Sequence, residues 1–257
     1  MFSVVAECSK CGETFPSNKV LTVCTKCGGA LLFQYDLARV AENVSKNVLA
    51  KREDTFWKFW ELLPLLSSEN MVSFGEPYTP VLQLSSDSST TSKNVYLKDD
   101  GRLPTGTFKA RGMSVAVSKL KELGVRRVAM PSAGNAAAAL AAYGAKAGIE
   151  VCAVMPKDVP ESNLKECVYM GAKVYLVDGL IGDAAEIVKK LSKNHGWFDI
   201  STNKQPYRFE GYKVMAFEIA EQFGWDLPDN ILFPTGGGEG VIGLWKGFKE
   251  LIELGWT

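Results

Sequence analysis

Three segments of this sequence combine small residues with groups that can do chemistry. The first, D-G-R-L-P-T-G-T-F-K-A-R-G-M over 100–113, places Lys109 in the first turn of a predicted helix. A cation at a helix N-terminus opposes the helix dipole, which disfavours the charged form of the amine. A neutral lysine amine is the nucleophile that Schiff-base chemistry requires. The alternative is a lysine that only extends to solvent beside Arg111.

The second segment, P-S-A-G-N-A-A-A-A-L over 131–140, directly follows a predicted strand. Asn135 falls at the expected N-cap of the next helix. Gly134 and the alanines would let backbone N–H groups approach a ligand, and such a helix start favours an anion. The alternative is an ordinary asparagine cap before a buried, alanine-rich helix.

The third segment, P-T-G-G-G-E-G-V over 234–241, also lies between a predicted strand and a predicted helix. Its glycines are hard to explain by a turn alone, because each costs about 0.5–1 kcal/mol of conformational entropy. Backbone amides that wrap a phosphate explain them, while a flexible surface loop is the alternative. The segment lacks the G-K-[ST] of a P-loop and the pattern of a dinucleotide fingerprint. It therefore indicates a small phosphorylated cofactor.

Four cysteines near the N-terminus form a separate candidate site. Cys8, Cys11, Cys24 and Cys27 follow the pattern C-x2-C-x12-C-x2-C, and a glycine follows each pair. Each C-x2-C turn aims two thiolates at one point, so two turns make a tetrahedral site that suits Zn²⁺. Four protein ligands leave no open coordination position, which predicts a structural ion. A knuckle that folds without metal and a redox C-x-x-C are the alternatives.

Alternating strand and helix patterns position the three segments. From residue 95 onward this alternation predicts parallel sheets covered by helices, with ligands bound in loops at the carboxyl ends of the strands. The predicted strands are 95–98, 128–131, 151–156, 174–177 and 231–234. The predicted helices are 108–123, 135–147, 162–170, 182–193, 212–223 and 240–254. Residues 36–70 are also predicted to be helical, and 85–93 to form a polar loop.

The composition is that of a soluble globular protein. Of 257 residues, 46% are hydrophobic and 23% charged, and Lys+Arg and Asp+Glu are equal at 29 each. This balance argues against nucleic acid or an anionic membrane as a partner. No apolar run approaches the roughly 20 residues of a membrane span. With no signal peptide recognised, we expect a cytoplasmic protein with reduced cysteines.

The three segments together resemble those of a known family. P-T-G-T-F-K-A-R-G, S-A-G-N-A-A and T-G-G-G-E-G stand in the order found in fold-type II pyridoxal-phosphate (PLP) enzymes. Within that group the chain is most similar to threonine synthases that carry an N-terminal four-cysteine knuckle, and the resemblance covers essentially the whole chain. It implies PLP and structural Zn²⁺ as cofactors, a small amino-acid substrate and a homodimer.

The resemblance also implies a fold. We expect two parallel-sheet α/β domains of the tryptophan synthase β type behind a small zinc ribbon. The ribbon would span 1–35, the large domain 36–109 with 206–257, and the small domain 110–205. The family continues well past the glycine segment. The C-terminal part of the large domain is therefore expected to be missing. The missing part would include the group that faces the pyridine nitrogen of PLP.

Residue roles carry over where the family motifs match. Lys109 is expected to carry PLP as a Schiff base and to move protons, with Phe108 beside it, and Asn135 to hydrogen-bond the 3′ oxygen. The 5′-phosphate is expected to be held by the backbone N–H groups of Gly236, Gly237, Gly238, Glu239 and Gly240. Substrate-binding candidates are Thr105 and Thr107 for a phosphate, and Ser132, Ala133 and Gly134 for a carboxylate.

The implied reaction is that of a PLP-dependent carbon–oxygen lyase, in which O-phosphohomoserine and water give threonine and phosphate. Threonine synthases often read S-F-K-D-R where this chain reads T-F-K-A-R, so Ala110 removes a carboxylate and Thr107 adds a methyl group. Ala110 fits serine/threonine ammonia-lyases of the same fold. Two alternatives follow, namely β-elimination of that kind and a truncated chain without catalytic activity.

Overall fold

The computed structural model describes residues 3–84 and 94–257, so the polar loop predicted over 85–93 lies outside the described residues. The cysteine-bearing unit is an antiparallel sheet with strand order β2-β1-β3. Its strands are β1 (Ser3–Cys8), β2 (Thr14–Pro16) and β3 (Leu31–Tyr35). Gly12 and Gly28, which follow the two cysteine pairs, have φ of 71° and 72°. This left-handed conformation turns the chain back at both pairs, as expected.

Residues 36–70 form short helical pieces rather than one long helix. The α-helices are α1 (Leu37–Asn43) and α2 (Lys46–Leu49), and Phe56–Leu62 is a 3-10 helix. Asp36 accepts a hydrogen bond from the amide of Arg39, and Ser45 accepts one from the amide of Val48. Because Ser45 has an extended backbone and caps a new helix, α1 ends before it.

An antiparallel ribbon follows this helical region. It pairs β4 (Val81–Gln83) with β5 (Tyr96–Lys98). The strand predicted at 95–98 is therefore present, but it does not join a parallel sheet. From there the chain passes through two 3-10 turns, Asp100–Arg102 and Pro104–Gly106, into α3 (Lys109–Glu122).

A parallel sheet with strand order β8-β7-β6-β9 confirms the α/β class. Its strands are β6 (Arg127–Pro131), β7 (Glu150–Pro156), β8 (Lys173–Val177) and β9 (Phe198–Asp199). The helices between them are α4 (Asn135–Ala147), α5 (Glu161–Tyr169) and α6 (Ile181–His195). Successive side chains of β7 face opposite sides of the sheet. Ala153 and Met155 pack with α4 and α5, whereas Cys152 and Val154 pack with α6.

Two further helices complete the described fold. These are α7 (Tyr207–Gln222), which is buried at every position from Tyr207 to Ala220, and α8 (Glu239–Glu253). A Cβ atom at Gly211 would lie 1.9 Å from the carbonyl oxygen of Arg111, so the backbones of α7 and α3 are in direct contact. Among the described residues, no helix combines the length and the apolar character needed to cross a bilayer.

The strand predicted at 231–234 is wrong, because these residues have no regular secondary structure. A strand needs a neighbour to satisfy its backbone hydrogen bonds, and within the described ranges none pairs with this segment. The side chain of Leu232 is 98% exposed. The apolar run therefore leads directly into the glycine segment as an irregular connection.

Candidate functional site

The lysine segment and the glycine segment meet at one cavity. Its lining comes from the start of α3, from Thr202 and from the loop that leads into α8; the lining residues are Phe108, Lys109, Thr202, Phe233, Pro234, Thr235, Gly236, Gly237, Gly238, Glu239 and Gly240. The amine of Lys109 lies 4.1 Å from the ring centroid of Phe108 and 5.8 Å from that of Tyr212. The cavity therefore lies where the first turns of α3 and α8 approach each other.

The surroundings of Lys109 favour its neutral form. Burial lowers the pKa of the Lys109 amine below its ordinary value of 10.5, the positive charge of Arg208 lowers it further, and Glu239 opposes this change. Arg111 has a different environment, because it is fully buried and its guanidinium pairs with Asp100. Lys109 itself is half-buried and lines the cavity.

The glycine loop, residues 236–240, is packed against the segment that follows β9. A Cβ atom at Gly237 would lie 2.3 Å from Cγ2 of Thr202, so a larger residue would force the two segments apart. Gly238 has a φ of 86° and caps α8, which begins at Glu239. The first N–H groups of a helix have no carbonyl partner within it and favour an anion. Here Glu239 and Gly240, the first two residues of α8, both line the cavity.

The side chain of Glu239 anchors the glycine loop. Its Oε1 accepts a 2.9 Å hydrogen bond from the amide of Asn203, and its Oε2 lies 2.8 Å from Nη2 of Arg208. The side chain of Asn203 also donates to the carbonyl of Gly237 over 3.1 Å. Thr202, Asn203 and Arg208 were not found from the sequence. The signal available was the turn-rich run S-T-N-K-Q-P directly before α7.

The asparagine segment lies beside the lysine segment but not at the cavity. Among the described residues that line the cavity, none comes from 132–135. The assignment of Asn135 as the N-cap is wrong, because Gly134 occupies the cap with an extended backbone and Asn135 is the first residue of α4. The side-chain oxygen of Asn135 instead accepts a 3.1 Å hydrogen bond from Asn163. Ser132 stabilises this loop, since its hydroxyl accepts a 3.3 Å hydrogen bond from the amide of Gly134.

The two threonines of the lysine segment have different surroundings. Thr105 has a φ of 65°, and its hydroxyl is buried without a hydrogen-bond partner among the described residues. Thr107 accepts a 3.3 Å hydrogen bond from the amide of Lys109, which supports the start of α3. The turn Pro104–Gly106 contacts α4, so the lysine and asparagine segments are neighbours.

Residues 72–256 match the model of a family described as pyridoxal-phosphate dependent enzymes. The chain belongs to this PLP-dependent enzyme family. It is 37% identical to the threonine synthase of Methanocaldococcus jannaschii and 36% identical to that of Methanosarcina acetivorans, in each case over 98% of this chain. The chain spans 62% and 61% of the lengths of these two relatives. The solved structure of maize serine racemase is also similar, with a TM-score of 0.62 and 26% identity over 68% of this chain and 53% of that chain.

The residues around the cavity fit the cofactor of this family. PLP carries an aldehyde that reacts with a lysine amine and a phosphate that suits a helix N-terminus. Lys109 supplies the amine, and the glycine loop supplies main-chain N–H groups at the start of α8. The close packing of Gly237 on Thr202 gives this loop a defined shape. Both chemical ends of PLP therefore have a suitable group at one cavity.

The four cysteines form one compact cluster. Their sulfur atoms all lie within 4.8 Å of one another, with Cys8 and Cys27 separated by 3.4 Å and Cys11 and Cys24 by 3.7 Å. Four sulfurs at about 2.3 Å from a tetrahedral Zn²⁺ would be about 3.8 Å apart. The cluster is therefore compatible with one metal ion.

Proposed function

We propose that this chain is a PLP-dependent lyase of the threonine synthase type, which converts O-phosphohomoserine and water to threonine and phosphate. The observation that carries the proposal is that the Lys109 amine and the glycine loop line the same cavity. The curated relatives named above are threonine synthases, which supports the choice of substrate.

Each side of the cavity would have a separate task. When bound, PLP supplies an electron sink that stabilises negative charge on carbon atoms of the substrate. Lys109 would hold the cofactor and move protons at the substrate's α- and β-carbons, because its lowered pKa leaves a larger fraction of the amine uncharged and able to accept a proton. The glycine loop would hold the 5′-phosphate through main-chain N–H groups. Phe108 would pack beside Lys109, and Asn135 would hydrogen-bond the 3′ oxygen.

The substrate would bind between the lysine and asparagine segments. We assign its phosphate to Thr105 and Thr107, and its carboxylate to Ser132, Ala133 and Gly134. An unsatisfied buried hydroxyl is costly, and a phosphate oxygen would provide the partner that Thr105 lacks among the described residues. The start of α4 favours an anion at 132–134 in the same way.

We assign Zn²⁺ to the cysteine cluster, with a structural role. Thiolate sulfur is a preferred ligand of Zn²⁺, and four cysteines leave no coordination position for a substrate. The cluster would therefore stabilise its own small sheet and take no part in the reaction.

Spectroscopy of the wild type and Lys109→Ala tests the cofactor assignment. With added PLP, the wild type should develop the visible absorption band of the bound cofactor, and the variant should not. Borohydride reduction followed by peptide mass mapping should then place the cofactor on Lys109. A folded wild type without this band would disprove attachment of PLP to this chain as a Schiff base. Release of phosphate with formation of threonine from O-phosphohomoserine tests the reaction itself.

Ala110 favours a second candidate function, β-elimination of serine or threonine to a 2-oxo acid and ammonia. Ala110 is fully buried in α3, so no carboxylate is available at this position next to Lys109. The two candidates differ in their products. Phosphate and threonine from O-phosphohomoserine support the first function. Formation of a 2-oxo acid from threonine, without phosphate release from O-phosphohomoserine, supports the second.

A further inference from the structure

Residues 202–208, which comprise the end of the β9–α7 connection and the first two residues of α7, enclose the carboxylate of Glu239. The amide of Asn203 donates to it over 2.9 Å, and Gln205 donates through its side chain over 3.4 Å. Gln205 also accepts hydrogen bonds from the first two amides of α7, at 2.7 and 3.0 Å. The start of α7 and the start of α8 are thus connected through two side chains.

Arg208 provides the positive charge for this arrangement. It is 1% exposed, and its Nη2 lies 2.8 Å from Glu239 and 3.3 Å from the hydroxyl of Tyr212. Its Nη1 donates to the carbonyl of Ile200 over 3.3 Å. Among the described residues its Nε has no partner. A buried guanidinium held on several sides has little freedom to move away from Glu239.

The charge of Glu239 needs compensation at this position. Glu239 is the first residue of α8 and lines the cavity that we assign to the cofactor phosphate. An unpaired carboxylate there would repel a phosphate and would itself be costly to bury. Pairing with Arg208 removes both effects and fixes the first residue of α8. No other Arg or Lys ion pair to Glu239 is found among the described residues.

We propose that Arg208 is a positioning residue of the cofactor site, which neutralises Glu239 and fixes the glycine loop. Through the same ion pair, Arg208 and Glu239 also influence the charge of Lys109 at the other side of the cavity. The proposal rests on the assignment of PLP to this cavity. Arg208 and Glu239 act on Lys109 with opposite signs, and the titratable ring of Tyr212 lies 5.8 Å from its amine. The pair therefore lies at the phosphate end of the cavity, and its two charges change the pKa of the Lys109 amine in opposite directions.

The first experiment measures, in the chain without cofactor, the pH midpoint at which the Lys109 amine becomes reactive. Its reaction with trinitrobenzenesulfonate is followed against pH by peptide mass spectrometry in the wild type, Arg208→Met, Arg208→Lys and Glu239→Gln. Loss of the arginine should raise the midpoint by about half a pH unit, and loss of the carboxylate should lower it by a similar amount. Arg208→Lys should stay near the wild type. Arg127→Met removes an exposed arginine outside the cavity and serves as the control.

The second experiment measures PLP affinity by fluorescence titration of the same variants. Arg208→Met should weaken binding by about tenfold to a hundredfold, because a buried charge-assisted contact is lost. The double variant Arg208→Met/Glu239→Gln should recover part of this loss, since it contains no unpaired carboxylate. Circular dichroism of each variant separates these effects from unfolding.

The outcomes separate the two proposals. Opposite midpoint shifts together with weaker PLP binding in Arg208→Met support the role of Arg208. Unchanged midpoints, or midpoints that move in the same direction in both single variants, overturn it. Wild-type PLP affinity in Arg208→Met overturns it as well. If the folded wild type takes up no PLP, the proposed function fails, and the pH midpoints alone decide whether Arg208 and Glu239 control Lys109.

Discussion

The hydroxyl of Tyr35 donates a 2.8 Å hydrogen bond to the carboxylate of Glu210, which joins the cysteine-bearing unit to the first turn of α7. Tyr35 is the last residue of β3, and Glu210 is fully buried. Lys213 lies 2.7 Å from the same carboxylate, and Lys246 of α8 lies 3.3 Å from it. The end of β3, α7 and α8 are therefore connected through one buried carboxylate.

Tyr35→Phe should destabilise the protein by about 1–2 kcal/mol. The substitution keeps the ring but removes one hydrogen-bond donor from a buried carboxylate. Urea unfolding followed by circular dichroism measures the change. Tyr169→Phe is the matched control, because the side chain of Tyr169 is 80% exposed. Equal stability of Tyr35→Phe and the wild type would show that the bond to Glu210 contributes nothing.

Gly211→Ala should destabilise the protein by about 3 kcal/mol or more. The new Cβ atom would lie 1.9 Å from a backbone oxygen of Arg111, so two helices would have to separate. Gly182→Ala is the control within another helix, since a Cβ atom there meets nothing within 4 Å. It should be neutral or stabilising by up to about 1 kcal/mol. Similar free energies of unfolding for both variants would contradict the close helix contact.

Lys109→Met should stabilise the chain without cofactor near neutral pH. Burial and Arg208 lower the pKa of Lys109 in the folded state, so below that pKa folding must place a charged amine in an unfavourable site. As pH rises through the folded-state pKa towards the ordinary 10.5, the unfolded chain binds more protons and the wild type gains stability. The difference between variant and wild type should shrink accordingly. Urea unfolding at pH 7 and pH 10 measures it, and a constant difference would count against a lowered pKa.

Cys11→Ser should abolish metal binding and lower the thermal stability of the protein. The cluster would lose one of four sulfurs, and a bound structural metal stabilises the folded state through its binding free energy. Atomic absorption should find one Zn²⁺ per chain in the wild type and much less in the variant. Cys152→Ala, which removes a cysteine outside the cluster, should retain the metal. Equal metal content in both variants would exclude the proposed ligands.

Local patterns were sufficient to predict many elements. The bounds predicted for α4 agree with the structure, and the cysteine spacing predicted the cluster. The meeting of the lysine and glycine segments followed from the family resemblance. In each case the decisive residues are close in sequence or belong to a motif.

Contacts between distant residues could not be predicted in this way. The start of α7 was predicted at 212 but lies at Tyr207, because the side chain of Gln205 caps the helix. The pairing of Arg208 with Glu239 joins residues that no local pattern connects. The apolar run at 231–234 has the composition of a strand, yet only a neighbouring strand could make it one.

The burial of α7 from Tyr207 to Ala220 has a consequence for how the protein unfolds. Tyr207 contacts the cysteine-bearing unit through the amide of Leu21 at 2.7 Å, Gly211 touches α3, and Lys213 pairs with Glu250 of α8 at 2.9 Å. None of these partners can lose its structure without exposing part of α7. We therefore expect the cysteine-bearing unit, α3 and α8 to unfold together, as one thermodynamic unit rather than as three separate ones.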